Sequence, residues 1–142
     1  MRTVRQLLDS KTPDVFAVGP DAPVLDAIRL MAEKRIGAVL VMQGTTLAGI
    51  LSERDYARKV VLDGRASHDT PVRDIMTADV VSVGLADTVS GCMQVMTGHR
   101  IRHLPVLEDG RVVGVVSIGD LVKAVIEEQQ LELDQLQRYI AS

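Results

Sequence analysis

The chain has 142 residues, 46% of them hydrophobic, with 16 basic and 19 acidic side chains and a formal charge of −3. That length makes one ordinary domain or two fused half-size units, and it buries a core without disulfide or metal staples. The charge balance excludes the broad cationic footprint needed for duplex DNA or an anionic membrane surface.

Aromatic residues are too few (Phe16, Tyr56 and Tyr139) to stack the bases of single-stranded nucleic acid, and the 21 valines point to buried strands. The single cysteine, Cys92, excludes an internal disulfide and a multi-cysteine zinc site. No apolar run reaches the length of a membrane span, and the opening MRTVRQLLDSKTP lacks the apolar stretch of a secretory signal. A cytoplasmic protein is expected.

Residues 1–11 contain a short helix-like stretch with Val4, Leu7 and Leu8 on one face. An internal repeat then organises the chain. Residues 15–61 and 80–126 align without gaps, and twelve of their 47 positions are identical, among them Gly19/Gly84, Met31/Met96, Arg35/Arg100, Ile36/Ile101, Gly49/Gly114, Ser52/Ser117 and Asp55/Asp120. Two copies are too few for a solenoid, so a pair related by a pseudo-two-fold axis is expected.

Each copy opens with a short strand (15–18; 80–83) that stops at glycine. In the first copy Pro23 begins a helix with Val24, Ala27, Ile28 and Met31 at helical spacing. In the second, Thr88 is a candidate N-cap ahead of Val89, Cys92, Met93 and Met96. A buried strand (38–42; 104–107), a glycine-containing turn and another strand (47–51; 111–116) form a hairpin. A second helix starts at Ser52 or Ser117. The order β-α-β-β-α, twice, predicts an α/β protein with a small mixed sheet in each copy and helices on one face. The expected division is residues 1–62 for the first copy with the N-terminal helix, 63–78 for a linker with a helical turn near 71–76, 79–127 for the second copy, and 128–142 for a C-terminal helix. In that tail Leu133, Leu136 and Ile140 make an apolar stripe, for packing on its own domain or on a second subunit.

The most informative match between copies is GILSERD (49–55) with GVVSIGD (114–120). Ser-x-x-Asp ahead of an apolar helix is a capping-box variant. The same groups suit a ligand: free N–H groups and the helix dipole favour a phosphate, the serine adds a donor, and the aspartate accepts from sugar hydroxyls. Glycine three residues before the serine permits a close backbone approach. Capping and binding are compatible.

The doubled unit ending in Gly-apolar-apolar-Ser-x-x-Asp resembles a tandem pair of CBS domains, the Bateman module, over nearly the whole chain. It is similar to small stand-alone CBS pairs assigned to signal transduction. The resemblance implies adenosyl ligands (AMP, ADP, ATP, NAD(H) or S-adenosylmethionine) in clefts between the copies, and homodimers that bring four CBS units together. By that resemblance Ser52 with Asp55, and Ser117 with Asp120, contact phosphate and ribose. Ile36, Gly37 and Ala38, and Arg102, His103, Leu104 and Pro105, line the base or phosphate pocket. Val15, Phe16 and Val18, and Thr77, Val80 and Val81, cover the adenine.

The copies differ in charge. Arg54 and Arg58 flank the first motif where the second has Gly119 and Lys123, while Arg102 and His103 stand opposite Gly37 and Ala38. Two non-equivalent sites are expected, unless these cations sit in solvent or pair with Glu53, Glu108 or Asp109. His68, His99 and His103 with Asp69 match no metal-ligand spacing, and Cys92 and the methionines at 31, 93 and 96 read as core. The expectation is a non-enzymatic sensor read by an unidentified protein partner. A small nucleotide hydrolase using Asp55, Asp120 or His103 as base, and a purely structural oligomerisation module, are the alternatives.

Overall fold

The computed structural model describes residues 2–11 and 14–141. They form two compact units: Asp14–Val81, and Ser82 onward together with the N-terminal segment.

In the first unit β1 (Ala17–Val18) runs parallel to β2 (Ala38–Gln43), which pairs antiparallel with β3 (Thr46–Ser52). Helix α2 (Val24–Lys34) makes the crossover. It buries Val24, Ala27 and Met31, and carries Asp26 in its first turn and Lys34 in its last, as the helix dipole favours. It ends at Arg35 in the left-handed region (φ 55°), after which the Ile36 N–H returns 3.0 Å to the Met31 carbonyl. Helix α3 (Glu53–Tyr56) is followed by a wider π turn (Ala57–Val61). The core holds Val24, Ala27, Met31, Val39, Val41, Leu51, Val60, Val72 and Ile75. Burying each large aliphatic side chain contributes about 1.5–3 kcal/mol.

The second unit repeats the plan with α4 (Val89–His99), an antiparallel hairpin of β4 (His103–Glu108) and β5 (Arg111–Ser117), and α5 (Ile118–Ala141). Thr88 caps α4 by accepting from the Gly91 N–H at 3.0 Å. Asp109 and Gly110, both at positive φ, turn the hairpin. The opening strand expected at 80–83 shrinks to one parallel bridge, Val83 to Val106. Pro105 explains the difference. It stands where Leu40 stands in the first copy, and Leu40 donates its N–H to Phe16 at 3.0 Å. Proline has no such donor, so one bond of the ladder cannot form.

Two expectations about chain division change. Helix α1 (Val4–Asp9), grouped above with the first copy, packs in the second unit, and residues 71–77 of the linker pack in the first. These segments are structural counterparts. Val4 and Arg5 donate to Asp87 and Leu85 as Val72 and Arg73 donate to Ala22 and Pro20, which are the matching repeat positions. Val4 and Leu7 are buried in the second unit as Val72 and Ile75 are in the first. Each repeat therefore receives an apolar cover from the segment that precedes the other repeat in the chain. The tail continues α5, which is a single helix of 24 residues. Leu121 and Ala124 in its first turns are buried, whereas Leu133, Leu136 and Ile140 are exposed, so the stripe does not pack on its own unit.

Candidate functional site

In the first unit Ser52 ends β3 and caps α3. Its hydroxyl accepts from the Asp55 N–H (3.2 Å), and the Asp55 carboxylate Oδ2 accepts from the Ser52 N–H (3.0 Å) and hydroxyl (3.1 Å). Lys59, one turn on, stands 3.3 Å from the other carboxylate oxygen and donates to the Ile75 carbonyl at 3.1 Å. The entry into β2 lies alongside: Ala38 is the cross-strand partner of Ser52, and the Gly37 carbonyl accepts from the Glu53 N–H at 3.0 Å. Ser52, Asp55, Gly37 and Ala38 thus share one strand-to-helix junction, with exposed Arg54 and Arg58 on the helix beside it.

The second unit builds the same junction. The Ser117 hydroxyl accepts from the Asp120 N–H (3.2 Å), and Asp120 accepts from the Ser117 N–H (2.9 Å). His103 pairs across the sheet with Ser117, and the Arg102 carbonyl accepts from the Ile118 N–H at 2.8 Å. Here the lysine comes from elsewhere. Lys11, beyond the end of α1, donates to Asp120 Oδ2 at 2.7 Å and to the Val115 carbonyl at 3.0 Å. The repeat position matching Lys59 is Ala124. Burial pushes the Asp120 carboxyl up, but the bonds from Lys11 and Ser117 outweigh it and hold the group below its ordinary value.

Neither lysine is among the residues expected from the sequence. Lys59 was legible as an i, i+4 partner of Asp55. Lys11 lies 109 residues from Asp120 and carries no local signal.

The remaining expected residues divide. Phe16, Val18 and Ile36 pack against the first core, with the Lys34 ammonium 5.4 Å from the Phe16 ring centre. Leu104 is fully buried, so the structure assigns it to the core and leaves it no surface for a ligand; Pro105 is buried as well. Thr77 exchanges both backbone bonds with Ile50 of β3 in the first unit, while Val80 and Val81 are half-buried and Val15 is exposed. Arg102, Gly119, Arg58 and Lys123 are exposed. Glu108 pairs with Arg5 at 3.8 Å.

The glycines before each motif have a different use from the one expected. A Cβ on Gly49 would stand 2.7 Å from the Met76 sulfur and 2.9 Å from the Thr77 carbonyl, and one on Gly114 2.8 Å from a Leu8 methyl. The close approach is made by the covering segments.

Burial, and then the Asp87 charge, push the Cys92 thiol up, which suits a core residue and not a nucleophile. Among the described residues no three His, Cys, Asp or Glu side chains are placed to hold a metal ion, and no helix is long and apolar enough to cross a membrane.

Two half-size units, each a hairpin closed by a capped helix and covered by a borrowed segment, define a tandem repeat module. The CBS domain family model matches residues 4–62 and 72–127, and the chain belongs to that family. A CBS-domain protein from Burkholderia ambifaria MC40-6, assigned to signal transduction, has a similar structure (TM-score 0.88, 52% identity), with 90% of this chain and 96% of that one covered. The mitochondrial CBS domain-containing protein CBSX3 of Arabidopsis thaliana is 44% identical over 125 residues, and the match takes in 84% of this chain but only 61% of that protein's length. A CBS domain protein from Pyrobaculum aerophilum, solved in complex with AMP, is similar at TM-score 0.75 and 26% identity over 84% of this chain and 89% of that one.

Proposed function

We propose that this chain is a non-enzymatic sensor that binds an adenine nucleotide (AMP, ADP, ATP or NAD(H)) at its Ser-x-x-Asp junctions, with Ser52/Asp55 and Ser117/Asp120 as the polar anchors. The observation that carries the proposal is the recurrence, in register, of one hydroxyl and one carboxylate where a strand turns into a helix. Such a junction offers anion-favouring N–H groups next to an acceptor for sugar hydroxyls. The AMP complex of the Pyrobaculum relative supports the ligand class.

Exposed Arg54, Arg58, Arg102 and Lys123 supply cations from different elements in the two copies, so the junctions bind with unequal affinity. Asp120 is already bonded to Lys11 and Ser117, which makes it a poor proton acceptor for hydrolysis. The protein acts in the cytoplasm as a homodimer, and ligand binding shifts it between states of different affinity for a downstream protein.

A thermal-shift panel with AMP, ADP, ATP, NADH and S-adenosylmethionine tests this. Stabilisation by an adenine nucleotide is expected, and Ser117→Ala with Asp120→Ala should remove the second junction's share. No response to any of the five at millimolar concentration would reject the proposal.

A second reading, an oligomerisation module, is favoured by the exposed stripe on α5 and by the capping bonds that the serines and aspartates already make. Deleting residues 131–142 and measuring mass in solution addresses it; a dimer that survives the deletion removes the tail from the assembly.

A further inference from the structure

We propose that Lys11 is a built-in competitor at the second junction, holding the Asp120 carboxylate that a ligand hydroxyl would take, so that a ligand enters there by exchange with the lysine. This rests on the nucleotide reading above and extends it to a residue outside both repeats. Three observations carry it. The Lys11 ammonium is 2.7 Å from Asp120 Oδ2, the same oxygen that accepts from the Ser117 N–H. The corresponding lysine of the first junction, Lys59, stands instead on Oδ1, leaving Oδ2 to Ser52. The Val115 carbonyl that anchors Lys11 has its counterpart in Ile50, which is bonded by the Thr77 backbone N–H at 2.9 Å. A side chain therefore does in the second unit what the main chain does in the first, and a side chain can leave without breaking the ladder.

The pair is also reachable. Lys11 is 33% and Asp120 26% exposed at the side chain, so a donor from solvent that approaches Oδ2 competes with an ammonium already there. The two junctions are thereby set apart: the first carboxylate meets a lysine one turn on, at Oδ1, and the second a lysine brought in from the N-terminal segment, at Oδ2.

AMP titration by calorimetry tests this in a background carrying Ser52→Ala and Asp55→Ala, which removes both polar anchors of the first junction. Lys11→Met should bind AMP roughly three- to tenfold tighter, the range expected for removing a part-buried charge-assisted bond. Lys11→Arg should keep the parent affinity. Lys11→Gln should follow Lys11→Met, so a Met variant that fails to fold does not decide the matter. A merely structural brace predicts the opposite, a lower melting temperature without ligand together with weaker AMP binding. Parent-like or weaker binding by both neutral variants, while the parent binds AMP, overturns the role of Lys11 alone. No AMP binding by any protein, wild type included, overturns the nucleotide reading and this inference with it.

Discussion

Met76 lies over Gly49 so closely that a Cβ on the glycine would stand 2.7 Å from its sulfur, and Leu8 holds the same place over Gly114. The two glycines are identical between copies because each hairpin takes a covering segment flat against its second strand. What stands over them differs. At Gly49 the Thr77 backbone carbonyl is also within 2.9 Å of the added carbon, whereas at Gly114 only the ends of the Leu8 side chain are close.

Gly49→Ala should therefore destabilise by about 1–3 kcal/mol, the usual cost of overpacking against backbone, and Gly114→Ala by less than half as much because leucine rotates. Urea denaturation of the two variants checks this, and equal losses would show that the covers yield alike.

Arg35 ends α2 at φ 55°, a conformation that costs an L-residue about 1 kcal/mol and costs glycine nothing. Arg35→Gly is expected to stabilise the protein by about 0.5–1 kcal/mol. A lower denaturation midpoint would mean that the arginine side chain contributes more than its backbone costs.

The β-α-β-β-α order and the Ser-x-x-Asp junctions were legible because duplication supplies a second reading of every element. The pairing of Ser52 with Asp55 and the cap at Thr88 are local, three residues apart, and so visible in the chain. The placement of α1 was not legible. Val4 and Leu7 carry the periodicity of any short amphipathic helix, and nothing local distinguishes a cover for residues 82–141 from one for the nearer repeat. Lys11 was hidden for the same reason. The shortened strand at Val83 could have been read, since Pro105 lacks the donor that Leu40 uses.

Asp120 gives the protein an acid-sensitive element. Its folded carboxyl lies below its ordinary value, so the unfolded chain takes up the proton more readily. The stabilisation is complete at neutral pH, begins to fade as pH falls through the ordinary aspartate value of about 3.9, and is gone below the lower folded value. Asp120→Asn keeps an acceptor for the Ser117 N–H but loses the charge facing Lys11. It should be less stable than wild type at pH 7, with the gap closing on acidification below about pH 4. Chemical denaturation at a series of pH values reads this, and a gap that stays constant to pH 3 would show that Asp120 owes nothing to its charge.

The two halves of α5 should respond differently to similar changes. Leu121 is fully buried, whereas Leu136, four turns on along the same helix, is 55% exposed. Leu121→Ala removes buried methyl groups and leaves a cavity, at a cost of about 2–5 kcal/mol. Leu136→Ala removes a side chain that contacts water, and alanine is the better helix former, so stability should stay within about 0.5 kcal/mol of wild type. Thermal unfolding at low protein concentration measures the intramolecular contribution. A loss above about 1 kcal/mol at Leu136 that grows with protein concentration would place the residue in a contact between copies, because association stabilises by mass action. A loss independent of concentration would place it against its own unit, contrary to the exposure seen here.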